Sequence, residues 1–279
     1  MKDIQSSPDH RKIAIDKVGI KDLRLPIIVR DRNRTNQSTI ADVNFYVDLP
    51  HQFKGTHMSR FVELLNDHRE SLDITRIDRV LIAARKKLNA LKAHLELTFP
   101  YFIEKEAPVS KSRGLMDYNC TISASSNGDE KVDMILTVKV PVTTLCPCSK
   151  EISEYGAHNQ RSVVTLSVRT NSLVWLEELI EIVEKEASCE IFSLLKRKDE
   201  KYVTERAYEN PRFVEDVVRG ITEKIMEDER IDWFRVESDN IESIHNHNAY
   251  ALIERNLRAE REGSKRAAES GKLRLVKTK

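Results

Sequence analysis

Val132–Val142 reads VDMILTVKVPV and Ser162–Thr170 reads SVVTLSVRT. Val, Ile and Thr dominate both, and such side chains suit a pleated, half-buried surface, so both are expected strands. Ser172–Ala187 (SLVWLEELIEIVEKEA) follows as an expected helix with Ser172 at its cap, and Phe213–Glu229 as a second, with Pro211 just ahead of it. Trp233–Ser238 and Ala249–Glu254 read again as strands. The first half has the same order. Lys21–Arg30 and Ser38–Leu49 are expected strands, and Arg60–Asn66, with Ser59 as cap, is an expected helix. Ile77–Leu97 carries an apolar stripe at helical spacing (Val80, Ile82, Ala83, Leu88, Leu91, Leu95), and Pro100–Pro108 and Leu115–Ser125 are extended. The pattern is ββαα-ββ, twice, with little residue identity between the halves. Strand pairs flanking helix pairs point to an α+β fold, an antiparallel sheet with helices on one face.

The chain has 279 residues, enough for a large core, and 40% of them are apolar. Lys+Arg at 46 nearly cancels Asp+Glu at 45, which gives no general case for nucleic-acid binding. No run of 18 apolar residues marks a membrane helix, and the opening MKDIQSSPDHRK has no signal-peptide core, so a cytoplasmic location is expected. Reduced thiols there favour metal or catalytic roles for the four cysteines over disulfides.

Half of those cysteines lie in Thr143–Ser162, TTLCPCSKEISEYGAHNQRS. Pro147 between Cys146 and Cys148 breaks any ladder, which places the pair in a loop or at an edge. His158 comes twelve residues after Cys146, behind a Gly, as in a loop folding back. A metal clasp, a nucleophile with its base and a turn with incidental thiols all fit these residues. In Ile244–Asn248 (IHNHN), His245 and His247 share a face if extended, as metal binding or proton transfer would use. Lys196–Pro211 (KRKDEKYVTERAYENP), read as a charged stretch between helices, offers Asp199, Glu200, Glu205 and Glu209, any of which could complete a Cys/His site. Glu215 and Asp216 suit the first turn of a helix, or a guanine edge. Lys54–Phe61 (KGTHMSRF) brings Thr56, His57, Ser59 and Arg60 to a helix start, a plain cap or a phosphate site. Neither GxxxxGK[ST] nor GxGxxG is present, against P-loop and Rossmann binding.

Taken together, TTLCPCSKEIS-YGAHNQRS, KGTHMSRF, DEKYVTERAYENPRFVED and ESIHNHNAYA resemble the signatures of GTP cyclohydrolase I type IB, from about Lys21 to Glu254. The resemblance implies tandem tunnelling-fold (T-fold) units assembling into barrels, in a homotetramer with sites between subunits. On that basis residues 1–20 are an N-terminal arm, 21–128 the first unit, 129–257 the second unit with most site residues, and 258–279 a charged tail. The implied reaction is metal-dependent hydrolysis of GTP to 7,8-dihydroneopterin triphosphate and formate, the entry to tetrahydrofolate synthesis. By motif position the metal ligands are Cys146, His158 and Glu200, with a position open for water. Glu215 anchors the guanine, His245 transfers protons, and Arg60, Arg161, Arg206 and His57 are candidates for the triphosphate. Cys plus His plus Glu suits zinc and admits manganese or iron. An activated water would then attack guanine C8. Cys148 and His247 receive no role.

Two rival readings are a T-fold nitrile reductase, whose Cys thiolate attacks a deazaguanine nitrile with NADPH as reductant, and a non-catalytic pterin- or purine-binding protein with a structural metal. The first needs no catalytic metal, and the second predicts a closed site without turnover.

Overall fold

The computed structural model describes residues 5–263 except 6, 34, 70, 71, 73 and 129–131. They form an antiparallel α+β protein of nine strands. Two compact units share the chain. The first takes 1–139 with short contributions from 175–179 and 192–199, and the second takes 140–174, 180–191 and 200–279.

In the first unit, β1 (Ile15–Arg30), β2 (Asn36–Leu49), β3 (Ala93–Glu106) and β4 (Arg113–Ser126) pair in sequence order. Helices α1 (Met58–Asp67) and α2 (Ile77–Leu88) lie between β2 and β3. Burial alternates along β2, β3 and β4. Along β2, residues 41, 43, 45, 47 and 49 are buried, while the odd-one-out face carries Asp42, Asn44, Tyr46 and Asp48. One sheet face therefore goes to the helices, where the rings of Phe45 and Phe61 meet edge to face at 5.4 Å. The other face is polar, with Asn44 donating to Glu96 at 2.8 Å.

Three expectations need correction here. The helix read through Leu97 stops at Leu88, because Asn89 takes the left-handed conformation (φ 51°) and closes it. Leu91 is exposed, and Leu95 and Leu97 are buried by strand alternation in β3 instead. Ser59 lies inside α1, and His57 holds the cap position.

β5 (Asp133–Leu145) belongs to the first unit through Lys139 and to the second from Val140, where it is followed by the one-and-a-half-turn α3 (Pro147–Ile152) and by β6 (Asn159–Thr170). Then come α4 (Leu176–Glu186), the two-residue β7 (Cys189–Glu190), α5 (Arg197–Glu209), α6 (Val214–Met226), β8 (Ile231–Asn240) and β9 (Ala249–Arg255). β5 contributes its first residues to the ladder with β4, and its last to β7 through Val142↔Glu190 and Thr143↔Cys189. β6 pairs β8, and β8 pairs β9. Val164, Leu166, Val168, Phe234 and Val236 make the buried sheet face of this unit, with Ile221 and Ile225 of α6 buried as well.

Ser172 does not cap α4, which starts at Leu176. Lys196–Pro211, read as a charged stretch between helices, is itself mostly the helix α5. It buries only Asp199 and Ala207, so no apolar stripe announces it, and its Arg, Lys, Glu and Ala content is what makes it helical. A helix over 257–263 follows β9, with Leu257 buried. Arg261 holds it down by donating to the carbonyls of Asp228 and Ile231 at 3.1 Å each. Of the charged tail expected over 258–279, residues 264–279 lie outside the described residues. No helix among the described residues is long and apolar enough to cross a membrane.

Candidate active site

Between β5 and β6 the chain makes a hairpin around α3. Pro147 occupies the first turn of that helix, where a missing amide hydrogen costs no helical bond. Cys146 is the N-cap residue. Its amide donates to the His158 carbonyl at 3.1 Å, closing the hairpin at its base. The Ser149 amide approaches Cys146 Sγ at 3.5 Å, and Ser149 Oγ donates to the Cys146 carbonyl at 3.1 Å and accepts from the His158 amide at 3.2 Å. Two residues twelve apart in sequence thus become main-chain neighbours. The strand end beneath them is fixed from both sides: the Leu145 amide donates to Ser188 Oγ and its carbonyl accepts from the Arg212 amide, each at 3.0 Å.

The His158 ring is held on one side. Its Nδ1 lies 3.1 Å from Gln160 Oε1 and 3.4 Å from Ser243 Oγ. Gln160 Nε2 donates to Thr144 Oγ1 at 2.9 Å, and that oxygen lies 2.8 Å from Ser162 Oγ. Thr144 and Ser162 are fully buried and Gln160 is 7% exposed. Cys146 and His158, neighbours along the main chain and with Nε2 unpartnered among the described residues, offer a thiol and an imidazole, ligand types that suit a zinc, manganese or iron site. The residues brought together number only two: among the described residues no three His, Cys, Asp or Glu groups stand ready to hold a metal.

The remaining candidates are distributed around this hairpin and elsewhere. Glu200 sits exposed on the first turn of α5, next to Asp199, which has a structural task. Buried Asp199 accepts from the amides of Val109, Ser110 and Lys196 at 2.7–2.9 Å. Burial alone would raise its carboxyl, but the donors from Ser110, Lys196 and Val109 outweigh it and hold the group well below the usual carboxylate range. Glu215 and Asp216 differ in their surroundings. Asp216 accepts from the Phe213 amide at 2.9 Å at the start of α6, and the Glu215 carboxylate is exposed with no partner among the described residues.

His245 and His247 stand on the exposed 241–248 loop, their rings stacked at 5.1 Å and 12°. That loop is anchored beside His158. Asn240 pairs with Ser162 in the ladder, the Ile241 amide donates to the Arg161 carbonyl at 3.0 Å, and Ser243 reaches the His158 ring. The Arg161 side chain is exposed, whereas Arg206 is engaged with Glu190 at 3.6 Å. Arg60 and His57 belong to the first unit, at the start of α1. Cys148 is exposed on α3.

The sequence reading passed over Thr144, Gln160, Ser162 and Ser243. A signal was present for Gln160 and Ser162: along β6 the buried positions are 160, 162, 164, 166 and 168, and only the first two are polar.

Residues 1–251 match the family described as Type I GTP cyclohydrolase folE2. GTP cyclohydrolase FolE2 of Citrifermentans bemidjiense is 56% identical over 255 residues, 91% of this chain and 95% of that protein. FolE2 of Geotalea uraniireducens is 57% identical over 258 residues, 92% and 94% of the two chains. Among solved structures, a highly active mutant of Bacillus sp. TB-90 urate oxidase superposes with a TM-score of 0.54 at 10% identity, covering 87% of this chain and all of that one. That likeness speaks for the fold alone, which is the tunnelling fold.

Proposed function

The chain belongs to the type I GTP cyclohydrolase FolE2 family, an enzyme family of folate biosynthesis, and we propose that it hydrolyses GTP to 7,8-dihydroneopterin triphosphate and formate at the Cys146–His158 hairpin. The observation that carries this reading is the closure of that hairpin by the Cys146 amide and the His158 carbonyl, which makes the two residues main-chain neighbours.

In the proposal Cys146 and His158 hold a divalent cation, zinc first and manganese or iron as alternatives, with Glu200 as third ligand. A cation so bound lowers the pKa of a water and supplies the nucleophile for guanine C8 near neutral pH. The protein's own groups do the rest. Glu215 accepts two N–H donors from the guanine edge, turning binding into orientation. Its exposed, unpartnered carboxylate is available for that task. His245 moves protons during ring opening and loss of formate. The anchoring of its loop to Arg161 and His158 favours that role. Arg161, with Arg60, Arg206 and His57 as further candidates, meets the triphosphate. Arg206 would first have to leave Glu190. The proposed working form is a cytoplasmic homotetramer with sites shared between copies.

The test is direct. Metal-loaded protein is incubated with GTP and assayed for formate and for the fluorescent oxidised pterin. Product in both assays is expected, and silence with zinc, manganese and iron alike overturns the reading. Near-stoichiometric metal in the purified protein would speak against a nitrile reductase.

A further inference from the structure

Gln160 is the first inward-facing residue of β6, and the inward positions beyond Ser162 are Val164, Leu166 and Val168. A primary amide at such a depth is costly unless its polar ends are used. Both ends are used, and they are not equivalent. The NH2 end donates to Thr144 Oγ1 at 2.9 Å. The carbonyl end lies 3.1 Å from His158 Nδ1. Thr144 Oγ1, already accepting from Gln160, also meets Ser162 Oγ 2.8 Å away, in a bond that either hydroxyl can donate. The relay therefore has two unlike ends: the NH2 group meets the Thr144–Ser162 hydroxyl pair, and the amide oxygen is turned to the imidazole.

An amide oxygen can only accept. A neutral imidazole that meets it through Nδ1 must carry its proton there and leave the Nε2 lone pair exposed. We propose that Gln160 is a positioning residue that locks the His158 ring in the Nδ1–H form and so presents Nε2 to the cation. The inference rests on the cation site proposed above, but its structural half does not depend on metal. Thr144 lies two residues before Cys146, so the same relay ties the thiol's strand to the imidazole's strand. Ser243, two residues before His245, reaches the same ring nitrogen at 3.4 Å. If the amide were reversed, its NH2 would need an acceptor at Nδ1, the proton would move to Nε2, and the cation-facing lone pair would be lost. A hydrogen bond to the far nitrogen of a ligating histidine also fixes the ring's orientation and raises its basicity.

Two measurements on the full-length protein test this. The first is nitrogen-15 spectroscopy of histidine-labelled, metal-free protein, at a pH where imidazole is neutral. The His158 signals are assigned by their loss in His158→Asn. A protonated Nδ1 is expected, and a protonated Nε2 overturns the proposal. The second is zinc affinity by chelator competition for wild type, Gln160→Met and Gln160→Glu. Methionine fills similar space without an acceptor and should weaken zinc binding about tenfold to hundredfold, the usual range for such outer partners. Glutamate keeps an acceptor at Nδ1 and should recover most of that loss. Equal losses in both variants would make Gln160 a packing residue and overturn the proposal. If Gln160→Met does not fold, the wild-type spectrum and that of Gln160→Glu, expected to keep Nδ1–H, still decide. If wild type binds no zinc, the cation reading fails, while the ring spectrum judges Gln160 by itself.

Discussion

In the first unit the β1–β2 bend is held by Asp31, whose carboxylate accepts from the Thr35 amide at 2.8 Å, and the β3–β4 bend closes with Ala107 N donating to Ser112 O at 2.9 Å. The matching bends of the second unit are longer. β5–β6 carries Cys146 and His158, and β8–β9 carries His245 and His247. Both units repeat paired strands, helices and paired strands, with similar apolar faces. The difference lies in the bends: those of the second unit carry the thiols and histidines on which the proposed function rests, while the strands act as a frame.

That contrast can be broken by substitution. The largest effect is expected from Cys146→Ala, which should release the cation and lower kcat/KM on GTP by about a thousandfold or more, the several kcal/mol such an ion supplies. Asp31→Ala in the corresponding first-unit bend should leave turnover at the wild-type level. Full activity in the cysteine variant, or equal damage in the aspartate variant, would end the comparison. His245→Ala comes next, with kcat reduced about a hundredfold and the melting temperature unchanged. A melting shift as large as the activity loss would mark His245 as structural.

Phe61→Ala tests the frame instead. Removing a fully buried ring that packs edge to face on Phe45 should cost about 3–5 kcal/mol in denaturant unfolding. The folded fraction should still turn over GTP at the wild-type rate. A cost near zero would mean the first unit does not depend on this core.

The smallest effect depends on pH. The folded carboxyl of Asp199 is depressed, so its contribution is complete above the unfolded value near pH 4 and is lost as pH falls toward the folded value. Wild type should therefore melt higher than Asp199→Asn at neutral pH, and the gap should narrow below about pH 4. A gap unchanged by acid would remove Asp199 from the account.

Most of the frame was legible because strand alternation and β-branched content are local signals. Where the reading failed, two signals overlapped or none existed. Leu88, Leu91 and Leu95 keep helical spacing, yet Leu95 and Leu97 also keep strand spacing, and only the left-handed turn at Asn89 decides between them. α5 has no apolar stripe, so it read only as a charged stretch between helices. Cys146 and His158 stood out through their motif, and the hydrogen-bond partners of the His158 ring did not. Thr144 meets Gln160 and Ser162 only through the register of the hairpin, which no single stretch of sequence displays. Asp199 and Glu200 are adjacent and both acidic, and only the three amides aimed at Asp199 reveal its structural duty.

The hairpin that carries Cys146 is closed at its base and open at its tip, where Ile152 and Tyr155 are 84% and 96% exposed. Solvent deuterium should therefore enter it in a graded order. The Tyr155 amide, held only by Ser153 Oγ at 3.3 Å on an exposed turn, should label early, and the Cys146 amide, which bonds the His158 carbonyl, should label late. Cys146 labelling would then track how often the base opens, a clock built into the chain that needs neither substrate nor cation to read.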